Sequence, residues 1–279
     1  MISRFAPAPT GFLHLGHVVN AIYVWGVTRA MAADATVEGR VLVRIEDHDR
    51  QRSRASYERA ILEDLDWLGF VGDGAPVRQS ERHEMYSSAL DRLRAQGLVY
   101  ACDCSRAAYA SELRYPGTCR DRELADAPGY GVRVRIDPGI ERFDDLRHGL
   151  QEQEPAAQCG DLLVRDRHGN WAYQFAVVVD DAEQGVTLVV RGDDLLESTG
   201  RQIRLARLLG RQTPPRFFHH GLLMKSPTQK MSKSDGDTGV RELRDRGWTP
   251  EMVIGEAAAR AGLIPAPRPI RAADVSSII

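Results

Sequence analysis

The first hundred residues alternate short β-branched runs with segments of helical period, and no other feature of the chain narrows its fold as much. Ile2 to Ala6 reads as a strand, followed by a turn at Pro7, Pro9 and Gly11 and a helix from about Gly16 to Ala33. Val41 to Ile45 reads as a second strand, and Ala55 to Leu68 as an amphipathic helix ended by Gly69. Ser80 to Gln96 reads as a further helix that opens on Ser80 and closes at Gly97. A helix between two strands carries the chain back to the starting end of the sheet, so the strands it joins run parallel. The expectation is an α/β chain with a Rossmann-like, doubly wound parallel sheet.

The alternation breaks at Tyr100. A cysteine cluster, a Pro/Gly-rich stretch and the alternating strand Val132 to Ile136 follow, and the pattern resumes near residue 156. Residues 1–99 and 156–235 are therefore expected to be two halves of one domain, 100–155 an inserted subdomain, and 236–279 a short helical C-terminal segment. Asp161 to Val179 reads as a hairpin turning at His168-Gly169-Asn170, Val186 to Val190 as a buried strand, Leu195 to Leu209 as a helix and Phe217 to Leu223 as a strand. Thr249-Pro250 is a good N-cap and first residue for a last helix through Ala261, and the tail from Pro265 is expected to be irregular.

Composition excludes several classes. With 43% hydrophobic and 27% charged residues the chain has the make-up of a folded soluble protein, and no apolar run approaches the roughly 20 residues of a membrane span. The N-terminus lacks a basic start followed by an apolar stretch, so a cytoplasmic monomer is expected. Four cysteines are too few for a disulfide scaffold at 279 residues, and three of them crowd into Cys102, Cys104 and Cys119, which points to metal before disulfide. The net charge of -2 gives no sign of a nucleic-acid partner. Arg201, Arg204, Arg207 and Arg211 do share a helix face, readable equally as an RNA contact or a solvated surface.

Of 37 basic residues only Lys225, Lys230 and Lys233 are lysines, and they fall in one nine-residue window. A chain that otherwise uses arginine has kept lysine where a flexible point charge suits a phosphate. The window ends within Lys230-Met-Ser232-Lys233-Ser234, a basic and hydroxyl-rich loop suited to clamping a triphosphate. Near the other end, His14-Leu-Gly16-His17 sits where the first turn enters its helix. Unpaired N–H groups there attract anions, the histidines add donors, and Gly16 lets a nucleotide approach the backbone. Taken alone, the two histidines could equally be a capping and packing pair.

Together the two segments resemble the paired signatures of the class I aminoacyl-tRNA synthetases. Arg4-Phe-Ala-Pro-Ala-Pro-Thr-Gly, Arg44-Ile-Glu-Asp-His-Asp49, Tyr173-Gln-Phe-Ala-Val-Val-Val-Asp-Asp181 and Val190-Arg-Gly-Asp-Asp-Leu195 are similar to the glutamyl-tRNA synthetase branch and its short paralogues. The roughly 40 residues after the lysine window are too few for an anticodon-binding domain, which favours those paralogues. The resemblance then implies ATP-dependent activation of L-glutamate to glutamyl-adenylate and its transfer to the queuosine base in the anticodon of tRNA(Asp). Two alternatives are a truncated synthetase charging a tRNA 3′ end and a catalytically silent, zinc-containing RNA-binding paralogue.

The resemblance also assigns residues. His14, His17, Lys230 and Lys233 would be catalytic, and these with Gly16 and Ser232 would bind ATP, which comes with Mg2+. Arg4 and Arg191 would pair with the carboxylates of glutamate, Glu46 with its ammonium and Tyr173 with a further polar group, beside the backbone of Ala6 to Ala8. Ala8 replaces the usual Ser and removes one hydroxyl contact. On charge alone, Glu46 could simply pair with Arg44 or Arg50, and Arg191 with Asp193 or Asp194. A structural Zn2+ needs a fourth ligand beside Cys102, Cys104 and Cys119. Chemistry suggests His, Asp or Glu, whereas the resemblance nominates Tyr115.

Overall fold

The strand Ile2–Phe5 pairs in parallel with Arg40–Ile45, Ile2 opposite Arg40, and Arg40–Ile45 pairs in parallel with the short strand Val77–Arg78. Leu188–Gly192 joins the opening strand through Thr187, whose N–H donates to the Ile2 carbonyl at 2.9 Å, and it neighbours Arg216–His220. The parallel α/β pattern expected from the sequence is therefore present. The computed structural model describes residues 1–49, 51–109, 111–112, 114–226, 229–230 and 239–279. They form two compact units, one of residues 1–78, 186–196 and 217–279, the other of residues 79–185 and 197–216. Among the described residues no helix is long and apolar enough to cross a membrane.

In the first unit the helix Leu15–Asp34 is buried on most sides, including Leu15, Val18, Ile22 and Trp25. Such a helix needs cover opposite its sheet as well as on it. The helix Pro250–Arg260 and the C-terminal 3-10 helix Ala272–Ile278 pack against it. The tail has no regular structure over residues 265–271, as expected, but then forms this 3-10 helix, with Ile264, Ile270, Ala272 and Val275 in the same core. Two glycines permit the packing. A Cβ on Gly26 would come within 2.6 Å of Ile279, and one on Gly255 within 1.8 Å of the Arg268 carbonyl. Thr249 caps the last long helix as its sequence suggests, accepting the Met252 N–H.

The second unit is built on an antiparallel sheet of Val99–Cys102, Gly131–Val134 and Leu162–Arg165. A hairpin, Glu141–Asp145 with Gly149–Gln153, was not evident in the sequence. Tyr86, Leu90, Val134, Trp171 and Phe175 meet in this unit's core. The hairpin expected over Asp161 to Val179 forms only around its turn at His168-Gly169-Asn170, where Asp166 N–H donates to the Asn170 carbonyl at 2.9 Å and Ala172 N–H to the Val164 carbonyl at 2.8 Å; instead of a second long arm the chain enters the helix Tyr173–Glu183. Its β-branched run favours a strand, but all of Phe175 to Asp181 is buried, which suits a helix enclosed on every side. Asp180 fixes that helix, accepting from Gln79 Nε2 and Arg82 Nε at 2.7 Å each and from the Tyr86 hydroxyl at 2.9 Å. The helix expected from Ser80 starts at His83, after a 3-10 turn over Gln79–Glu81.

Arginines on the helix Thr199–Leu208 are used internally. Arg204 Nε and Arg207 Nε grip the two carboxylate oxygens of buried Glu141 at 2.5 and 3.1 Å, and Arg204 also donates to the Asp137 and Gly139 carbonyls. The shared helix face is therefore in good part a fastening to the hairpin.

Candidate functional site

At the first turn of Leu15–Asp34 the backbone and the two histidines form a closed cap. His14 has extended geometry and accepts the Gly16 N–H on Nδ1 at 3.1 Å, while His17 Nδ1 accepts the His14 N–H at 3.1 Å. The rings lie 3.9 Å apart, centroid to centroid. Both Nδ1 atoms are thus used within the turn, which fixes how the two rings are oriented. A Cβ on Gly16 would stand 2.9 Å from the His14 ring, which explains glycine there. The capping role weighed in the sequence is real.

The exit of the lysine window returns to this turn. Val240 N–H donates to the Leu13 carbonyl at 3.0 Å, and His14 and Gly239 form an isolated bridge. The helix Val240–Asp245 is tied down by Arg241, whose guanidinium reaches Glu63 at 2.5 Å and buried Asp64 at 3.2 Å. Lys230 lies on Gln229–Lys230, paired antiparallel with Met224–Ser226, where Lys225 sits. Ser232 and Lys233 lie outside the described residues, as does Arg50.

Arg4 and Arg191 are buried on the strands Ile2–Phe5 and Leu188–Gly192 of the same unit, and Arg4 Nη1 donates to the Val190 carbonyl at 3.4 Å. Arg191 Nε donates to His219 Nε2 at 2.9 Å, and its Nη2 approaches the Leu195 carbonyl at 3.4 Å. His219 is fully buried, and no sequence motif points to it. Glu46 follows Arg40–Ile45, its N–H donating to the Pro7 carbonyl at 3.0 Å, which ties it to the turn holding Ala6 and Ala8. Its carboxylate lies 3.7 Å from buried Arg44, as the plain charge argument anticipated. Tyr173 is the first residue of its helix in the second unit.

The cysteines come together in that second unit. Cys102 ends its strand, Cys104 follows in the next loop, and Cys119 closes the Tyr115 turn; the three Sγ atoms lie within 4.8 Å of one another. Tetrahedral zinc with ligands at about 2.3 Å holds its sulfurs about 3.8 Å apart, so the spacing fits. Tyr115 Oη lies 3.4 Å from Cys102 Sγ and 3.9 Å from Cys104 Sγ, and it accepts the Cys119 N–H at 3.0 Å. Asp103 Oδ1 is 3.1 Å from Cys119 Sγ, but Arg122 already holds it at 2.8 Å. Burial pushes the Cys102 thiol up, yet hydrogen bonds from Tyr115 and Arg133 more than offset this and leave it below its ordinary value. Burial and the neighbouring Cys119 push Cys104 up to about 11.

Residues 1–268 match the catalytic-domain model of the class I tRNA synthetases for glutamate and glutamine (E and Q). A glutamyl-Q tRNA(Asp) synthetase of Rhodobacter capsulatus is 39% identical over 90% of this chain and 97% of its own length. One from Pseudomonas entomophila is 44% identical over 84% and 77%. Among solved structures, the glutamate-tRNA synthetase of Elizabethkingia anophelis superposes with a TM-score of 0.77 at 27% identity, over 92% of this chain and 61% of that one. The glutamate tRNA ligase of Elizabethkingia meningosepticum gives 0.80 at 25% identity, over 99% and 64%. The chain thus spans less than two thirds of those two structures.

Proposed function

The chain belongs to the glutamate and glutamine branch of the class I tRNA synthetases and, within it, to the glutamyl-Q tRNA(Asp) synthetase family, and from this we propose that it activates L-glutamate with ATP and transfers it to the queuosine base of tRNA(Asp). One observation carries the reading: identity with a relative of that name is sustained over nearly the whole length of both chains.

In this reading an oxygen of the glutamate α-carboxylate attacks the α-phosphorus of ATP. The bond to the bridging oxygen breaks, pyrophosphate leaves with Mg2+, and glutamyl-adenylate remains. A nucleophile on the queuosine base then attacks the glutamyl carbonyl and AMP departs. Catalysis of such a transfer is mainly positioning and charge stabilisation. His14 and His17 steady the phosphate oxygens, Gly16 admits the nucleotide, and Lys230, Ser232 and Lys233 follow the charge onto pyrophosphate. Arg4 and Arg191 hold the carboxylates and Glu46 the ammonium, beside the backbone of Ala6 to Ala8, and Tyr173 is assigned a further polar group of the glutamate. Zinc, bound by Cys102, Cys104, Cys119 and Tyr115, would supply structural cross-linking rather than chemistry.

Glutamate-dependent exchange of labelled pyrophosphate into ATP without tRNA tests the first half; no exchange, with or without tRNA, would indicate a silent RNA-binding protein. Labelled glutamate should then pass to tRNA(Asp) only when it carries queuosine. Label on the 3′ end regardless of queuosine would mark a truncated charging enzyme instead.

A further inference from the structure

We infer that Arg133 is a positioning residue of the metal centre, holding the Cys102 thiolate and the Tyr115 ring in place and balancing the charge gathered there. The inference rests on reading the cysteine cluster as a zinc site. Arg133 lies on Gly131–Val134, opposite Tyr100 of the strand that ends in Cys102, and is only 4% exposed. All three arms of its guanidinium are engaged. Nε donates to Cys102 Sγ at 3.3 Å, Nη1 to the Asp161 carbonyl at 2.8 Å and Nη2 to the Tyr109 hydroxyl at 2.9 Å. Its plane also stacks on Tyr115, with Cζ 3.5 Å from the ring centroid. One buried cation thus touches two of the four donors, each from a different direction.

The charge explains why a cation belongs there. Three thiolates around Zn2+ leave a net charge of -1, and a phenolate in the fourth position makes it -2. Such a charge in a buried cluster calls for a compensating partner, and a group donating to a ligating sulfur orients it and tunes its basicity. Arginine suits this position better than lysine, because a planar fork can donate in three directions while its face lies against an aromatic ring. The sequence motif contains the ligands but not this residue, which reaches the site from another strand.

Chelator competition on the purified full chain tests the assignment, comparing the parent with Arg133→Met, Arg133→Lys and Tyr109→Phe, each also loaded with Co2+. Loss of a partner to a metal ligand typically lowers affinity about 10–100-fold, and that loss is expected for Arg133→Met. Arg133→Lys should fall between, and Tyr109→Phe, which frees one arm and removes no ligand, should lose least. The thiolate-to-cobalt absorption should shift in energy with its three-thiolate intensity retained, a change that a purely structural strut would not cause. If Arg133→Met does not fold, the other two variants still decide. Zinc affinities within twofold of the parent and superimposable cobalt spectra in both would overturn the role of Arg133 alone. A parent that holds no zinc when its thiols are kept reduced would overturn the metal reading and this inference together.

Discussion

The histidine turn and the cysteine cluster are assembled in opposite ways. His14, Gly16 and His17 lie within one turn of helix and are arranged by hydrogen bonds among themselves and their own backbone. The thiols and Tyr115 come from a strand end, a loop and a turn, and Arg133 from a neighbouring strand completes their surroundings. A site made within one turn inherits its geometry from local backbone preference. A site made across a sheet depends on the packing of the unit around it, so damage should appear as lost activity in the first and lost stability in the second.

The largest expected effect is on the turn. His17→Ala removes the side chain proposed to steady the reacting phosphate and should lower glutamate-dependent pyrophosphate exchange about 10²–10³-fold, with no more than the ~1 kcal/mol stability loss of a missing helix cap. A loss under tenfold would deny the histidine that role. Cys119→Ser should do the reverse, with zinc content lost and stability lowered by about 3 kcal/mol in denaturant titration, as for a broken buried polar cluster. Equal stability with and without chelator would break the contrast. Gly16→Ala leaves every donor in place but crowds the His14 ring at 2.9 Å. A loss of about tenfold in kcat is expected, since small misplacements are costly in positioning catalysis. Parent-like kinetics would show that the cap tolerates a methyl group.

The smallest effect sharpens the cysteine site. Asp103 is partly exposed and paired with Arg122, so Asp103→Asn should leave the denaturant midpoint close to the parent's and zinc content unchanged. Loss of zinc from that variant would make the carboxylate, not Tyr115, the fourth ligand.

Legibility followed the same division. The parallel sheet and the helices Leu15–Asp34, Ala55–Leu68 and Pro250–Arg260 were readable because period, caps and turn residues are local signals. The segment from Tyr173 was misread because Val177, Val178 and Val179 favour a strand, and only the contacts that bury Asp180 against Arg82 and Tyr86 explain the helix. The arginine row read equally as an RNA contact or a solvated surface, and neither reading contained Glu141, which pairs with Arg204 and Arg207 from a hairpin that the sequence did not reveal. His219 was hidden for the same reason: its significance lies in contact with Arg191, 28 residues away along the chain.

The sequence by itself determined the chemistry available: two histidines flanking a glycine at a helix start, three lysines saved for one window, and thiols at metal-ligand spacing. Those follow from residue identity and short-range geometry. Tertiary structure alone decided what holds Arg191, where the C-terminal tail packs and which cation stands behind Cys102. Each of these depends on groups far apart in sequence being buried together, where a polar atom must find a partner and the fold supplies it.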